Sequence, residues 1–564
     1  MKKSFRFAVL FLFVFIFHSS LFAVDPPEGI KIYSVGNVYR IEFTLPQYQM
    51  NSTLGDGEEF YKLFIDGYGV TPEPGLPALP LISFNLFIND KEGNPSFNIK
   101  NVRRNEEIIS QRIYPQQYPW EKNKLFEDRP FTINKNYYST DGTETPLVKI
   151  SEPFILGGIK GVMITIYPFN YNPKENKLSI TTQAEIDIEL TKAPLTSTLK
   201  SKEYNTFLDE VFVNYQALNE KMMMKYLIIT APQFEADLTS FINHKESYGC
   251  EVDLFNTTIT GTTTTAIKTF IQQRYNDPQT RPEYVLLIGD VQNIPAWTGS
   301  GEGNPKTDRN YVYLEGTDYY SDAFIGRFSV TSSAELQNAI NKTIYMEINI
   351  ATLAKKNIFM ASTDNYNITE GTHNYVIDTW FGPEGYTNLK LYTQTYNATT
   401  QQLITALNDN QIFAIYSGHG GETSWADGPP LSQSQVSGLT NTIYPFVYSF
   451  ACVTGSYHIA ESFGETWLRT NHGGSAFYGS SVNSYWDEDD ILERKLIYAM
   501  FEDELTRITP MFDMAKIYLA NHYGSITPTV LRYFEMYNLM GDPSLPTVRQ
   551  IPPDLTPPDP VTNL

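Results

Sequence analysis

Cysteine is nearly absent. The 564-residue chain carries two, Cys250 and Cys452, too few for the disulfide framework that staples many secreted domains. They either form one bridge or leave a thiol free to react. Histidine is rare too, at seven residues. There is no His-Glu-x-x-His, Cys-x-x-Cys or phosphate-loop spacing, so zinc and nucleotide signatures are both missing. Positive charge is in deficit: 42 Lys and Arg stand against 63 Asp and Glu, a net charge of -21. That excludes a nucleic-acid binder and favours a soluble, self-repelling surface. Beyond the first 23 residues no apolar run is long enough to span a membrane.

The N-terminus has a clear order. Lys2, Lys3 and Arg6 precede an apolar run from Phe7 to Phe17, and Leu21-Phe22-Ala23 closes it. This is the pattern of a secretory signal peptide over 1–23, and a secreted or cell-surface location is expected. Residues 24–200 read as a β-rich domain. Tyr39, Ile41 and Phe43 alternate with polar neighbours, as do Ala184, Ile186 and Ile188, and Asn172 to Lys177 supplies a hairpin turn. An antiparallel sandwich is expected there. Residues 201–225 are polar and weakly patterned. With Lys192, Lys200, Lys202, Lys221 and Lys225 they read as a linker and processing segment. From 226 to 548 apolar strands alternate with helices, the pattern of a mostly parallel sheet covered on both faces. The proline-rich stretch 549–564 reads as a C-terminal linker.

In such α/β sheets, reactive groups gather beyond the C-terminal strand ends. The strand Gln411–Tyr416 runs into Ser417-Gly418-His419-Gly420-Gly421, and "YPFVYSF" at 444–450 runs into Ala451-Cys452. If these strands are neighbours, an imidazole and a thiol share one rim. A thiol nucleophile needs such a base, and the same group can later protonate the leaving group. The glycines admit close backbone approach, and the N–H groups of Gly420 and Cys452 are candidates for an oxyanion hole. Trp425, flanked by Glu422 and Asp427, is a candidate for the substrate cleft wall, and the two acids read as solvated loop charges. Cys250 reads as buried and inert. No cofactor is required by this chemistry. Glu315, Asp318 and Asp322 are either a candidate Ca²⁺ set, as a structural ion, or ordinary surface acids.

The blocks "YSGHGGETSWADG" and "FACVTGSY" resemble the His-Gly and Ala-Cys blocks of the gingipain-type cysteine peptidases, family C25 of the caspase-like clan. The likeness extends through "YLIITAPQF", "YVLLIGDVQNIP", "DYYSDAFIGRFSV" and "YNLMGDPSLP". "GLPALP" at 75–80 is similar to a block of the family's propeptide. The resemblance implies a caspase-like α/β fold behind a β-rich prodomain that acts as the enzyme's own inhibitor. It implies cleavage of protein or peptide substrates with Cys452 as nucleophile and His419 as acid and base. By position, Asp364 in "NIFMASTDNY" orients the histidine, and Glu370 is the candidate carboxylate for an Arg or Lys side chain. Two other functions fit the same residues: a sorting transpeptidase, and a non-catalytic adhesin on a peptidase scaffold.

Overall fold

The two alternating segments singled out in the N-terminal third pair with each other. Strands Val38–Thr44 and Lys177–Glu189 run antiparallel, with Ile41 opposite Ile186 and Phe43 opposite Ala184. The inward residues Ile41, Phe43, Ile186 and Ile188 are fully buried. Each such side chain stabilises the fold by roughly 1.5–3 kcal/mol relative to exposure. Residues Phe169–Asn172 fold back on this strand through the expected turn, with Phe169 opposite Ile180. Together with Ile30–Val35 and Phe97–Ile108 they make a five-stranded antiparallel sheet. A second antiparallel sheet, built around Pro80–Phe87 and Ile159–Ile166, shares one core with it through Ile82, Phe84, Val162 and Ile164. The computed structural model describes residues 26–35, 38–88, 93–125, 129–190, 200–215, 223–503 and 505–547. The expected signal peptide, Lys192, Lys221 and the proline-rich tail lie outside the described residues.

The segment read as a linker is in part a helix. Helix α1, Lys202–Val211, is capped by the Ser201 hydroxyl, which accepts from the Tyr204 N–H. Its buried face, Tyr204, Phe207, Leu208 and Val211, joins the core of the large domain. The spacing i, i+3, i+4, i+7 is that of an amphipathic helix. Lys200 is buried beside it rather than exposed for cutting, and burial pulls its pKa down to about 8.

The large domain is one ten-stranded sheet. Its strands are β1 (Met224–Thr230), β2 (Cys250–Asn256), β3 (Tyr284–Ile288), β4 (Phe324–Phe328), β5 (Lys356–Ala361), β6 (Thr387–Tyr392), β7 (Phe413–Ser417), β8 (Phe446–Phe450), β9 (Ala476–Ser480) and β10 (Tyr537–Met540). The spatial order is β2-β1-β3-β4-β10-β9-β8-β7-β5-β6. All neighbours are parallel except β9 and β10. That seam divides the sheet into two parallel blocks pointing opposite ways. β3, β4, β7, β8 and β9 are buried along their whole length, as strands covered by helices on both faces must be. Among the described residues no helix is long and apolar enough to cross a membrane.

Candidate active site

β5, β7 and β8 lie side by side, with Ala361 opposite Ser417 and Ser417 opposite Phe450. Their C-terminal ends open on one rim, where Asp364, His419 and Cys452 follow within a few residues. His419 donates through Nε2 to Asp364, 2.9 and 3.0 Å from its two carboxylate oxygens. The turn bearing Asp364 is itself held. Asp427 accepts from the Thr363 N–H at 2.8 Å and the Thr363 hydroxyl at 2.6 Å. Asp427 is therefore not a solvated loop charge. The His419 carbonyl accepts from the Tyr416 hydroxyl at 2.6 Å and from the Ala426 N–H at 3.0 Å.

Gly420 explains how the histidine loop reaches the cysteine. A Cβ there would stand 2.4 Å from the Cys452 carbonyl oxygen and 3.0 Å from the Ala451 Cβ. Only glycine permits that contact. The residue after the cysteine, Val453, has a φ of 51°, an outlier for a β-branched side chain. The chain thus turns sharply at the sulfur.

The thiol is covered. Cys452 is buried, and its Sγ accepts from the Ser484 N–H at 3.4 Å. Burial pushes the thiol pKa up, while the Ser484 hydrogen bond and the nearby Lys122 charge pull against that rise. Both cysteines are free, so no bridge joins them. Burial also raises Cys250, to about 12, consistent with an inert thiol.

What covers the site is the N-terminal domain. Residues 120–122 lie antiparallel to 484–486: the Lys122 N–H donates to the Ser484 carbonyl at 2.9 Å, and the Trp486 N–H donates to the Trp120 carbonyl at 3.2 Å. Glu121 bridges Tyr485 in the same register. The propeptide thus docks on this segment through its main chain. Lys122 then turns inward and is wholly buried. Its Nζ donates to the Phe450 carbonyl at 2.6 Å and the Ser417 hydroxyl at 3.2 Å, and pairs with Asp489 at 2.8 Å. It also stands 5.1 Å over the Trp486 ring, whose other neighbour is the His419 imidazole, edge-on at 5.3 Å. A lysine side chain thus fills a closed pocket at the ends of the two strands that deliver His419 and Cys452.

Three expectations need correcting. Glu370 does not face this pocket. It sits in helix α2, Tyr366–Val376, and its carboxylate accepts from the Thr395 N–H at 3.2 Å and from the Thr395 hydroxyl. The carboxylate on the lysine is Asp489, in the first turn of helix α3, Trp486–Phe501. Trp425 does not line an open wall. It is buried, stacks on Tyr416 at 4.6 Å and donates to the Ser449 hydroxyl at 2.9 Å. Glu315, Asp318 and Asp322 are not a surface set presented to a cation. Asp322 is buried and accepts N–H groups of Gly157, Leu314 and Glu315 at 3.0, 2.7 and 2.8 Å. Asp318 accepts from Ile155 and Tyr320 at 2.8 and 3.0 Å. Oxygens so engaged do not fit Ca²⁺ in this form. Among the described residues no group of three or more His, Cys, Asp or Glu could hold a metal ion.

Lys122, Asp489, Trp486 and Ser484 were not found from the sequence. The run Trp486-Asp487-Glu488-Asp489 was visible, but acids in a first helical turn are ordinary partners of the helix dipole.

As chemistry, this rim is that of a cysteine endopeptidase, here in its zymogen form with the propeptide in place. Comparison with known sequences gives the same class. Residues 220–548 match the model of peptidase family C25, and residues 30–223 match Propeptide_C25; the chain belongs to peptidase family C25. It is 26% identical to gingipain R2 of Porphyromonas gingivalis over 531 residues, which is 86% of this chain and 70% of that protein. It is 28% identical to Lys-gingipain of the same organism over 486 residues, 79% of this chain and 27% of that one. The solved complex of Porphyromonas gingivalis RgpB pro- and mature domains superposes with a TM-score of 0.52 at 25% identity, covering 58% of this chain and 80% of that chain.

Proposed function

We propose that the chain is a secreted, latent endopeptidase that cuts after lysine, and that its propeptide inhibits it by occupying the cleft as a substrate would. The observation that carries this reading is Lys122. Its side chain fills the closed pocket at the two strand ends, and its backbone pairs with Ser484, as a substrate residue before a scissile bond would do. The pocket suits an ammonium better than a guanidinium. Three acceptors, Asp489, the Phe450 carbonyl and the Ser417 hydroxyl, surround one nitrogen, matching the three N–H donors of lysine and not the planar fork of arginine.

Once the propeptide leaves, His419 takes the Cys452 proton. Asp364 occupies Nε2, which leaves Nδ1 for this transfer. The thiolate attacks the carbonyl carbon of the bound lysine, and the Gly420 and Cys452 N–H groups receive the developing oxyanion. The tetrahedral adduct collapses as His419 returns the proton to the leaving amine. Water, deprotonated by the same imidazole, then hydrolyses the thioester and regenerates the thiol. The thiol carries the chemistry, without an essential cofactor.

The test uses the full chain after self-processing, with peptides that differ only at the residue before the cut. Lysine peptides should be cleaved at least about tenfold better than arginine peptides, as one lost charge-matched hydrogen bond implies. Asp489→Asn should remove most of that preference. Cleavage that survives Cys452→Ala, or activity indifferent to the basic side chain, refutes the proposal.

A further inference from the structure

The antiparallel register that buries Lys122 also fixes where the preceding side chain goes. Glu121 stands opposite Tyr485, so the two side chains share a face of the pair. On that face lies Arg532, from helix α4, Pro528–Met536. Its guanidinium is held in place. It donates through Nε to the Asn483 carbonyl at 3.1 Å and through Nη1 to the Tyr485 hydroxyl at 2.8 Å, and it stacks 4.6 Å over the Tyr485 ring. Nη2 then reaches the Glu121 carboxylate at 3.4 Å.

That ion pair is the one formed by Arg532 among the described residues, and its side chain is 4% exposed. Glu302, on the neighbouring glycine-rich loop, makes no ion pair with it and is linked only through the Tyr485 hydroxyl, from which it accepts at 3.1 Å. The propeptide both covers this guanidinium and supplies its carboxylate, so maturation leaves a braced cation at the cleft edge, uncovered and unpaired. A fixed guanidinium forms a charge-assisted hydrogen bond with a carboxylate at little ordering cost, and an incoming substrate can supply that carboxylate where Glu121 stood.

We propose that Arg532 is a specificity-determining residue of the mature enzyme, selecting an acidic side chain immediately before the lysine. The preferred cut is then after Glu-Lys or Asp-Lys. This rests on the reading of Lys122 as a substrate mimic and extends it by one position.

The experiment compares peptides carrying Glu, Gln, Ala or Lys before a constant Lys, using self-processed full chain. Glu should exceed its isostere Gln by about tenfold in kcat/KM, as a charge-assisted bond over a neutral one implies, and Lys should be worst. Arg532→Gln should abolish the Glu-over-Gln ratio, and Arg532→Glu should invert the order. Equal rates for Glu and Gln peptides, or a ratio that persists in Arg532→Gln, overturn the proposal.

A second arm needs no peptidase activity. In the Cys452→Ala full chain, Glu121→Lys should expose Lys122 to trypsin, and Glu121→Lys with Arg532→Glu should protect it again. Failure of the double variant to restore protection also overturns the pairing. Loss of all cleavage after lysine with this rescue intact would sink the preceding reading and leave the Arg532 contact standing.

Discussion

Lys122→Ala should open the zymogen, and the structure sets the size of the effect. In the closed form Lys122 and Asp489 are both fully buried and 2.8 Å apart. The variant leaves the carboxylate under the propeptide without its cation. Removing one partner of a buried pair costs about 3–5 kcal/mol. In the open form Asp489 meets water whichever residue stands at 122, so the cost falls on the closed form alone. At about 1.4 kcal/mol per decade, the open fraction rises roughly 100- to 3,000-fold. The assay is alkylation of Cys452 by a small reagent in a His419→Ala background, which keeps the thiol and stops self-processing. Cys452 is buried when closed, so its labelling rate follows the open fraction. One effect opposes this: the Lys122 charge draws the thiol pKa down, and its loss would slow labelling. That charge acts only while the propeptide is seated and the thiol is shielded, so opening dominates. Lys122→Arg should fall between the two. Labelling of Lys122→Ala within about threefold of its parent would refute the reasoning, because even one neutral hydrogen bond is worth about that much.

Other outcomes are as specific. Asp364→Asn should lower kcat by about 10²–10⁴-fold with little change in KM, as measured on the processed chain, because it misorients the proton carrier without touching the lysine pocket. Gly420→Ala should lower the melting temperature of the full chain, at a cost of about 1–3 kcal/mol, since its Cβ would fall 2.4 Å from the Cys452 carbonyl; calorimetry reads this directly. Stability should also fall with rising pH at the propeptide contact. Burial raises the Asp322 carboxyl to about 8, so the folded form binds a proton that the unfolded chain has already released, and stability is lost between about pH 4 and pH 8. Asp322→Asn should flatten that slope in melting curves taken across this range.

The rim was legible because its signals are local. An apolar strand that stops at a glycine-flanked histidine, and another that stops at a cysteine, need only be neighbours to make a site, and Ser417 does pair with Phe450. The amphipathic spacing of Tyr204, Phe207, Leu208 and Val211 was equally local but was masked by polar neighbours. The pocket that holds Lys122 was not legible. Its two halves, Lys122 and Asp489, come from different domains, and neither stands in a pattern. Glu370 was the more conspicuous acid, lying beside the Asp364 turn, yet its helix directs it to Thr395. The antiparallel seam of β9 and β10 escaped as well, since a four-residue strand carries no sign of its direction.

One residue couples the two halves of the latent state. The Ser484 carbonyl accepts the Lys122 N–H at 2.9 Å, and the Ser484 N–H donates to the Cys452 sulfur at 3.4 Å. The same main-chain unit therefore seats the propeptide and holds the nucleophile. Lys122 adds a second tie, since its ammonium binds Phe450 and Ser417, the last residues of the strands that carry the thiol and the imidazole. A substrate lysine entering that pocket would meet the same two strand ends. The contacts that recognise a substrate and those that keep the enzyme shut are thus largely one set, so variants at Asp489 or Ser417 should change latency and turnover together.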